Sequence, residues 1–337
     1  MKFYNLLFLC LISPFIQAQQ EKGLTPIKKQ MANAGSSRAV IVGISDYQSA
    51  EIPDLEYADK DASAIAKWVQ SKAGWNIDND NIMVHVNDEA TNAQIIVSMD
   101  WLIEESREGD RALIYFSGHG DVERVTKYNN GYLLGYDSPP SVYGAGAFAV
   151  NYLKDMIATL SDNGVQVILI TDACRAGKLA GSSENGTGVT AARMSQQFAN
   201  EIKILSCQPE EFSLEGEQWG GGRGCFSYHL ENALYGLADS NNDYVLSLTE
   251  VQRYIEDHVS EEVAPQSQYP IVQGPSRTTI SFVDDAQLQA RRSLLDSEGT
   301  KFLAVNDRGM EDIFLSEADT IIRKLYDQFL VAIENNN

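Results

Sequence analysis

The sequence predicts an α/β protein, a three-layer α/β/α sandwich around a mostly parallel six-stranded sheet, on three observations. Short runs rich in β-branched residues recur along the chain, among them Ala39–Ile44 (AVIVGI), Asp110–Ser117 (DRALIYFS) and Val165–Asp172 (VQVILITD). Runs that are apolar nearly throughout suit strands covered on both faces, as in a parallel sheet. Between them lie longer stretches with apolar residues at helical spacing, the alternation that builds a parallel sheet flanked by helices. Two of the runs also break off into loops carrying His119 and Cys174, 55 residues apart. Ligands of open α/β sheets sit outside the carboxyl ends of such strands.

Met1–Ala18 carries Lys2, an apolar run from Leu6 to Ile16, and Ala18 before Gln19, the pattern of a secretory signal peptide. The chain is therefore expected to be secreted or periplasmic. The run falls short of the roughly 20 residues of a membrane helix and is interrupted by Pro14, so no membrane span is expected in the mature chain. Residues 19–37 are polar and end in Asn33-Ala34-Gly35-Ser36-Ser37, which reads as a flexible leader. One folded domain is expected over 38–283, followed by a helical extension over 284–337.

Within the domain, Ala39–Ile44 is the first strand, and a helix from about Tyr57 to Ser71 follows from the spacing of Ala58, Ala62, Ile65, Ala66 and Val69. Ile82–Val86 is the second strand, in which His85 reads as a structural histidine. Thr91 and Gln94 form a capping box for a helix to about Arg107. Beyond the strand at 110–117, Asn129-Asn130-Gly131 before Tyr132–Tyr136 signals a hairpin. A helix over Asn151–Leu160 leads into the strand ending at Asp172, and Lys178–Asn200, rich in Gly, Ser, Asn and Thr, reads as an exposed loop. Lys203–Cys207, a helix over Phe226–Leu237, a Pro-containing loop at Pro265, Pro270 and Pro275, and a last strand at Thr278–Val283 complete the domain. Helical stretches at about Ala286–Leu295 and Met310–Ile333 make up the extension.

The net charge of −21 argues against nucleic acid, whose phosphates would repel the chain, and suits basic partners or solubility alone. Of four cysteines, Cys10 leaves with the signal peptide, and Cys174, Cys207 and Cys225 remain. Cys207 and Cys225 either form a disulfide or stay buried as thiols.

If the strands ending at Ser117 and Asp172 are parallel neighbours, His119 and Cys174 emerge at one sheet edge. A thiol of pKa about 8.5 is only partly thiolate at neutral pH, so a nearby base is what a nucleophilic cysteine needs. In acyl transfer Cys174 would attack a peptide carbonyl and His119 would protonate the leaving amine, with the backbone N–H groups of Gly120 and Cys174 as oxyanion donors. No cofactor is required for that chemistry.

Ser117-Gly118-His119-Gly120 and Asp172-Ala173-Cys174 resemble the two active-site motifs of caspase-like cysteine peptidases, in the metacaspase form, over roughly Arg38–Val283. Asp172 stands where caspases have Gln. The resemblance implies cleavage after Arg or Lys, since metacaspases cut there whereas animal caspases cut after Asp. Asp61 matches the Asp of the metacaspase specificity pocket, although the family's usual Cys three residues earlier is Ala58. With Asp172 and the hydroxyl of Ser117 it would make an acidic pocket for a basic side chain. Expected partners are therefore protein or peptide substrates with Arg or Lys before the scissile bond.

Many caspase-like enzymes are also cut between the Cys-bearing half and the next, which makes Arg193, and secondarily Lys178, expected processing sites. Asp239–Glu250 has EF-hand spacing, with Asp239, Asn241, Asp243 and Glu250 as calcium ligands and Tyr244 where the sharp turn wants Gly. The same residues also read as a polar turn in which Ser247 and Glu250 cap the next helix. Two other functions stand beside the peptidase: a catalytically idle module binding basic peptides, and a calcium-responsive interaction protein.

Overall fold

The computed structural model describes residues 35–123, 125–173, 190, 192–209 and 211–297. The proposed signal and leader segments up to residue 34, Cys174, Lys178 and the second stretch of the helical extension lie outside the described residues.

In chain order the elements are β1 (Ser37–Gly43), α1 (Ala58–Gln70), β2 (Ile82–Val86), α2 (Asn92–Glu105), β3 (Arg111–Ser117), β4 (Gly120–Val122), β5 (Gly131–Leu133), β6 (Phe148–Ala149), α3 (Val150–Asp162) and β7 (Gln166–Asp172). Then follow β8 (Ile202–Leu205), β9 (Glu215–Gly216), β10 (Arg223–Gly224), α4 (Cys225–Asn232), β11 (Val245–Ser247), α5 (Leu248–Glu262), β12 (Ile271–Gln273), β13 (Thr279–Phe282) and a helix, α6, over 285–297. The central sheet has six strands in the order β12-β8-β7-β3-β1-β2, all parallel except β12 at one edge.

Alternate residues of each strand feed opposite faces, and both faces are covered. Ala39, Ile41, Leu113, Tyr115, Ile168 and Ile170 pack with α1, α4 and α5. Val40, Val42, Ile114, Phe116, Val167 and Leu169 pack with α2 and α3. This is why these strands are apolar nearly throughout: each side chain meets a helix layer, and a fully buried Val, Ile or Phe contributes about 1.5–3 kcal/mol. The open end of β1 is tied to β3 through Asp110, which accepts from Arg38 Nη1 (2.7 Å) and from the backbone N–H groups of Ser36 and Arg107.

The structure corrects the sixth strand. A strand does form within Thr278–Val283, β13, but it pairs with β11 in a separate two-stranded ribbon, Val245 opposite Phe282. The sheet's edge is instead Ile271–Gln273, antiparallel to β8, inside the segment expected to be a loop. Pro270 and Pro275 flank these three residues without entering them, and a short edge strand tolerates prolines at its ends. The helix expected over 226–237 is α4 followed by a wide turn at Ala233–Leu237, where Gly236 takes a φ of 109°. Thr91 Oγ1 accepts from the Gln94 N–H at the start of α2, and the hairpin is β4 with β5. Cys207 and Cys225 are both buried thiols and do not bridge one another.

After residue 189 the chain is docked against the body. Thr190 Oγ1 donates to the Asp121 carbonyl (2.8 Å), Met194 is buried, and Lys203, fully buried on β8, reaches back to the carbonyls of Met194 (2.7 Å) and Gln196. The Lys203 ammonium also meets Glu201 Oε1 at 3.1 Å, and that carboxylate accepts from the N–H groups of Phe198 and Ala199. Burial pushes the Lys203 pKa down to about 8, against the pull of Glu201.

Lys203→Met would strand the Glu201 carboxylate, and breaking a buried pair costs about 3–5 kcal/mol. Urea unfolding at neutral pH is expected to show that loss for Lys203→Met and to show most of it regained in Lys203→Met/Glu201→Gln; a loss under about 1 kcal/mol overturns this account. Because the depressed lysine binds fewer protons folded than unfolded, its contribution to stability rises with pH between about 8 and its ordinary value of 10.5.

Candidate active site at the carboxyl ends of β3 and β7

The parallel register of β3 and β7 sets Ser117 opposite Asp172, and the Gly118 N–H donates to the Asp172 carbonyl at 3.2 Å. His119 and Cys174 each follow by two residues. Cys174 itself lies outside the described residues; Ala173 before it is buried.

His119 is 1% exposed and held on three sides. Its backbone N–H donates to Tyr47 Oη (2.8 Å), its ring stacks on the Tyr47 ring with centroids 5.1 Å apart, and its Nε2 lies 2.7 Å from the Pro53 carbonyl. A carbonyl only accepts, so Nε2 carries the proton and Nδ1 is the nitrogen able to take up another. Neither Tyr47 nor Pro53 was visible as a functional residue in the sequence; both come from the loop between β1 and α1.

Gly120 opens β4. A Cβ there would stand 3.1 Å from the Ala173 carbonyl and 3.3 Å from Thr190 Cγ2, so glycine lets β4 close against the chain entering Cys174. That is a reason inside the protein, beside the expected approach of substrate.

Asp172 is fully buried, and its Oδ2 accepts from Ser227 Oγ on α4 at 2.8 Å. Ser227 has one proton and gives it to the carboxylate, so Tyr115 Oη, 2.8 Å from Ser227 Oγ, is the donor in that contact. Burial, with the charges of Asp61 and Asp172, pushes the Tyr115 pKa well up and keeps it a donor. Ser117 is fully buried, and its hydroxyl makes no hydrogen bond among the described residues.

Asp61, in the first turn of α1, is fully buried and pairs with Arg223 Nε at 2.6 Å, and the Gly224 N–H reaches both its oxygens. Arg223 in turn meets Glu231 Oε2 (2.8 Å), which also receives Arg291 Nη2 from α6 (3.0 Å). Burial works against the charge on Arg223, but Asp61 and Glu231 outweigh it and raise its pKa. The sequence reading treated Asp61 as a carboxylate in want of an external cation; the structure supplies an internal one. Arg223 was missed because it follows Gly220-Gly221-Gly222, a run that reads only as a turn.

At 239–250 the chain forms a polar turn. Asp239 accepts from the N–H groups of Asp243 and Tyr244, and Tyr244 takes a φ of 65°, the left-handed conformation this position requires. Glu250 closes a capping box with Ser247 at the start of α5. Asp239, Asn241, Asp243 and Glu250, the expected calcium ligands, all lie on this turn or at the helix start that follows it. Arg193 is helical, and its guanidinium bonds the Tyr128 carbonyl. His85 Nε2 lies 2.6 Å from Ser98 Oγ, a structural contact, and burial lowers its pKa.

A second cysteine-histidine grouping, distinct from His119 and Cys174, stands on α4 and α5: Cys225, His229 and Glu262. It too was missed, although Cys225-x3-His229 and His258-x3-Glu262 are spacings that place both members of a pair on one helix face.

The geometry at His119 predicts the Nε2–H tautomer. Nitrogen-15 correlation spectra of the imidazoles are expected to show His119 with a protonated Nε2 and an unprotonated Nδ1 at alkaline pH, and the opposite tautomer would remove Pro53 from the site.

A model of the caspase domain, peptidase C14, matches residues 36–280. Metacaspase-1 of Meyerozyma guilliermondii is 23% identical over 168 residues, which cover 48% of this chain; the chain spans about 40% of that relative's length. Caspase-1 from Spodoptera frugiperda superposes with a TM-score of 0.51 at 14% identity, covering 77% of this chain and 96% of that one. A Geobacter sulfurreducens protein does so with a TM-score of 0.50 at 15% identity, covering 75% and 97%. At these identities the two structures speak for the fold alone. The family match spans most of the chain and both strand ends, and the chain belongs to the caspase-domain family, peptidase C14.

Proposed function

We propose that the chain is an exported cysteine endopeptidase that cleaves after Arg or Lys, with Cys174 as nucleophile and His119 as its acid and base. The observation that carries this reading is the β3/β7 register, Ser117 opposite Asp172, which brings the histidine loop and the chain entering the cysteine to the same end of the sheet. The Cys174 thiol would pass its proton to His119 Nδ1 and attack the scissile carbonyl carbon as thiolate; the C–N bond then breaks as Nδ1 gives that proton to the leaving amine, and a water deprotonated by His119 would hydrolyse the thioester and regenerate the thiol. With Nε2 engaged by Pro53, the ring is oriented before substrate arrives. No metal or organic cofactor enters these steps.

Specificity for a basic residue is supported by Asp172, a buried carboxylate two positions before the nucleophile and oriented by Ser227, and by the metacaspase form of the motif. Asp61 would act from behind it, its charge shared with Arg223. On fluorogenic peptides, Cys174→Ala should abolish hydrolysis and His119→Ala nearly so, the two losses being non-additive. Asp172→Asn should cost Arg substrates about 2–5 kcal/mol in kcat/KM and neutral ones far less. Wild type without activity, but binding basic peptides, would make the chain an idle module; preference for Asp would overturn the basic pocket.

Self-processing after Arg193 is the further part of this reading. Arg193 is helical and docked on Tyr128, so cutting there needs local opening. Mass spectrometry of purified wild type is expected to show a mature start at Gln19 and two fragments parting after Arg193, and Cys174→Ala is expected to show the same start with the chain uncut at Arg193. A fully active, intact chain would remove processing from the mechanism, and cleavage after Lys178 alone would move its site.

A further inference from the structure

Helices α4 and α5 pack against each other, and each presents one pair of metal-binding residue types at a spacing of four. From α4 come Cys225 and His229; from α5 come His258 and Glu262. The ligand atoms of Cys225, His229 and Glu262 all lie within 4.8 Å of one another, with His229 Nε2 3.0 Å from Glu262 Oε2. The His229 and His258 rings stand 5.4 Å apart, centroid to centroid.

The surroundings are those of a built site. His229 is 3% exposed; its Nε2 faces Glu262 Oε2, and its Nδ1 makes no hydrogen bond among the described residues. An imidazole buried in that condition costs free energy unless something satisfies it. His258 Nδ1 lies 2.8 Å from the Tyr254 carbonyl, which sets the proton on Nδ1. Trp219 Nε1 donates to Glu262 Oε2 at 2.7 Å and orients that carboxylate. Cys225 is fully buried at the floor, while the Glu262 side chain is 44% exposed and gives an ion its way in.

We propose that Cys225, His229 and Glu262 form a binding site for a divalent transition-metal ion, zinc by the chemistry of its donors, with a water completing the set. Thiolate, imidazole and carboxylate in a tetrahedral set are the donors zinc takes, at about 2.0–2.3 Å. Those lengths put the ligand atoms roughly 3.5 Å apart, so the side chains close in by on the order of 1 Å. Cys225 binds as the thiolate, so binding releases the thiol proton to solvent. The site is separate from Cys174 and His119 and stands whether or not the peptidase reading does.

Cobalt(II) tests it by colour. Titrated into metal-free Cys174→Ala, which removes the other expected reactive thiol, one equivalent should give tetrahedral visible bands and a sulfur-to-cobalt charge-transfer band, both bleached by zinc. Cys225→Ser should lose the charge-transfer band, and Glu262→Gln, a change at a half-exposed position, should weaken zinc in competition with a chromophoric chelator by at least about tenfold. Zinc should also raise the melting temperature of the parent and not of Cys225→Ser. Should Cys225→Ser fail to fold, Glu262→Gln decides. Absence of the charge-transfer band in the parent, its persistence in folded Cys225→Ser, or unchanged zinc affinity in Glu262→Gln overturns the proposal.

Discussion

The pairing of β3 with β7 is the constraint on which the rest depends. Seven consecutive residues of each strand lie side by side, from Arg111 opposite Gln166 to Ser117 opposite Asp172. A parallel pair has no freedom to slip by one, because a slip would turn every side chain to the other face and put Leu113 and Tyr115 among the partners of Ile114 and Phe116. The two helix layers therefore fix the register, and the register fixes which loops meet. Residues distant in sequence acquire a common address from apolar packing alone.

Around that edge the protein spends its buried charge. Asp61, Arg223, Glu231 and Arg291 form a chain of alternating sign running from α1 through β10 and α4 to α6. Two carboxylates against two guanidiniums leave no net charge in that chain, which is the condition under which such groups tolerate burial. The network ties the helical extension to the site end of the domain, since Arg291 of α6 shares Glu231 with Arg223. Lys203 and Glu201 do the same for the segment that follows residue 189, fixing its backbone carbonyls and N–H groups while Met194 and Phe198 pack into the core.

The sequence made the central strands legible because burial on both faces writes an unbroken apolar run, and it made His119 and Cys174 legible because each sits where such a run breaks. It hid β12, three residues between prolines whose pairing depends on β8 already being in place. It hid the supports of the site for a like reason. Tyr47 and Pro53 act through a hydroxyl and a backbone carbonyl from a loop with no periodicity, and Arg223 follows three glycines whose φ angles of 59°, 75° and 116° turn it inward. Asp61 was visible as a residue, but its cation came from 162 positions away.

Helix α4 carries the last step, because its first turns serve two places at once. Cys225 and His229 lie one turn apart and face α5, while Ser227 between them gives its proton to Asp172. An α-helix is stiff over two turns, so Cys225, Ser227 and His229 move as one body. Any displacement of α4 toward α5 is thereby a displacement of the hydroxyl that holds the Asp172 carboxylate. Burial raises the pKa of the Cys225 thiol, and the charges of Glu262 and then Asp172 add to it. The arrangement couples the Asp172 carboxylate to the packing of α4 on α5 through one hydrogen bond of 2.8 Å, with Tyr115 of β3 bracing the same hydroxyl from the sheet side.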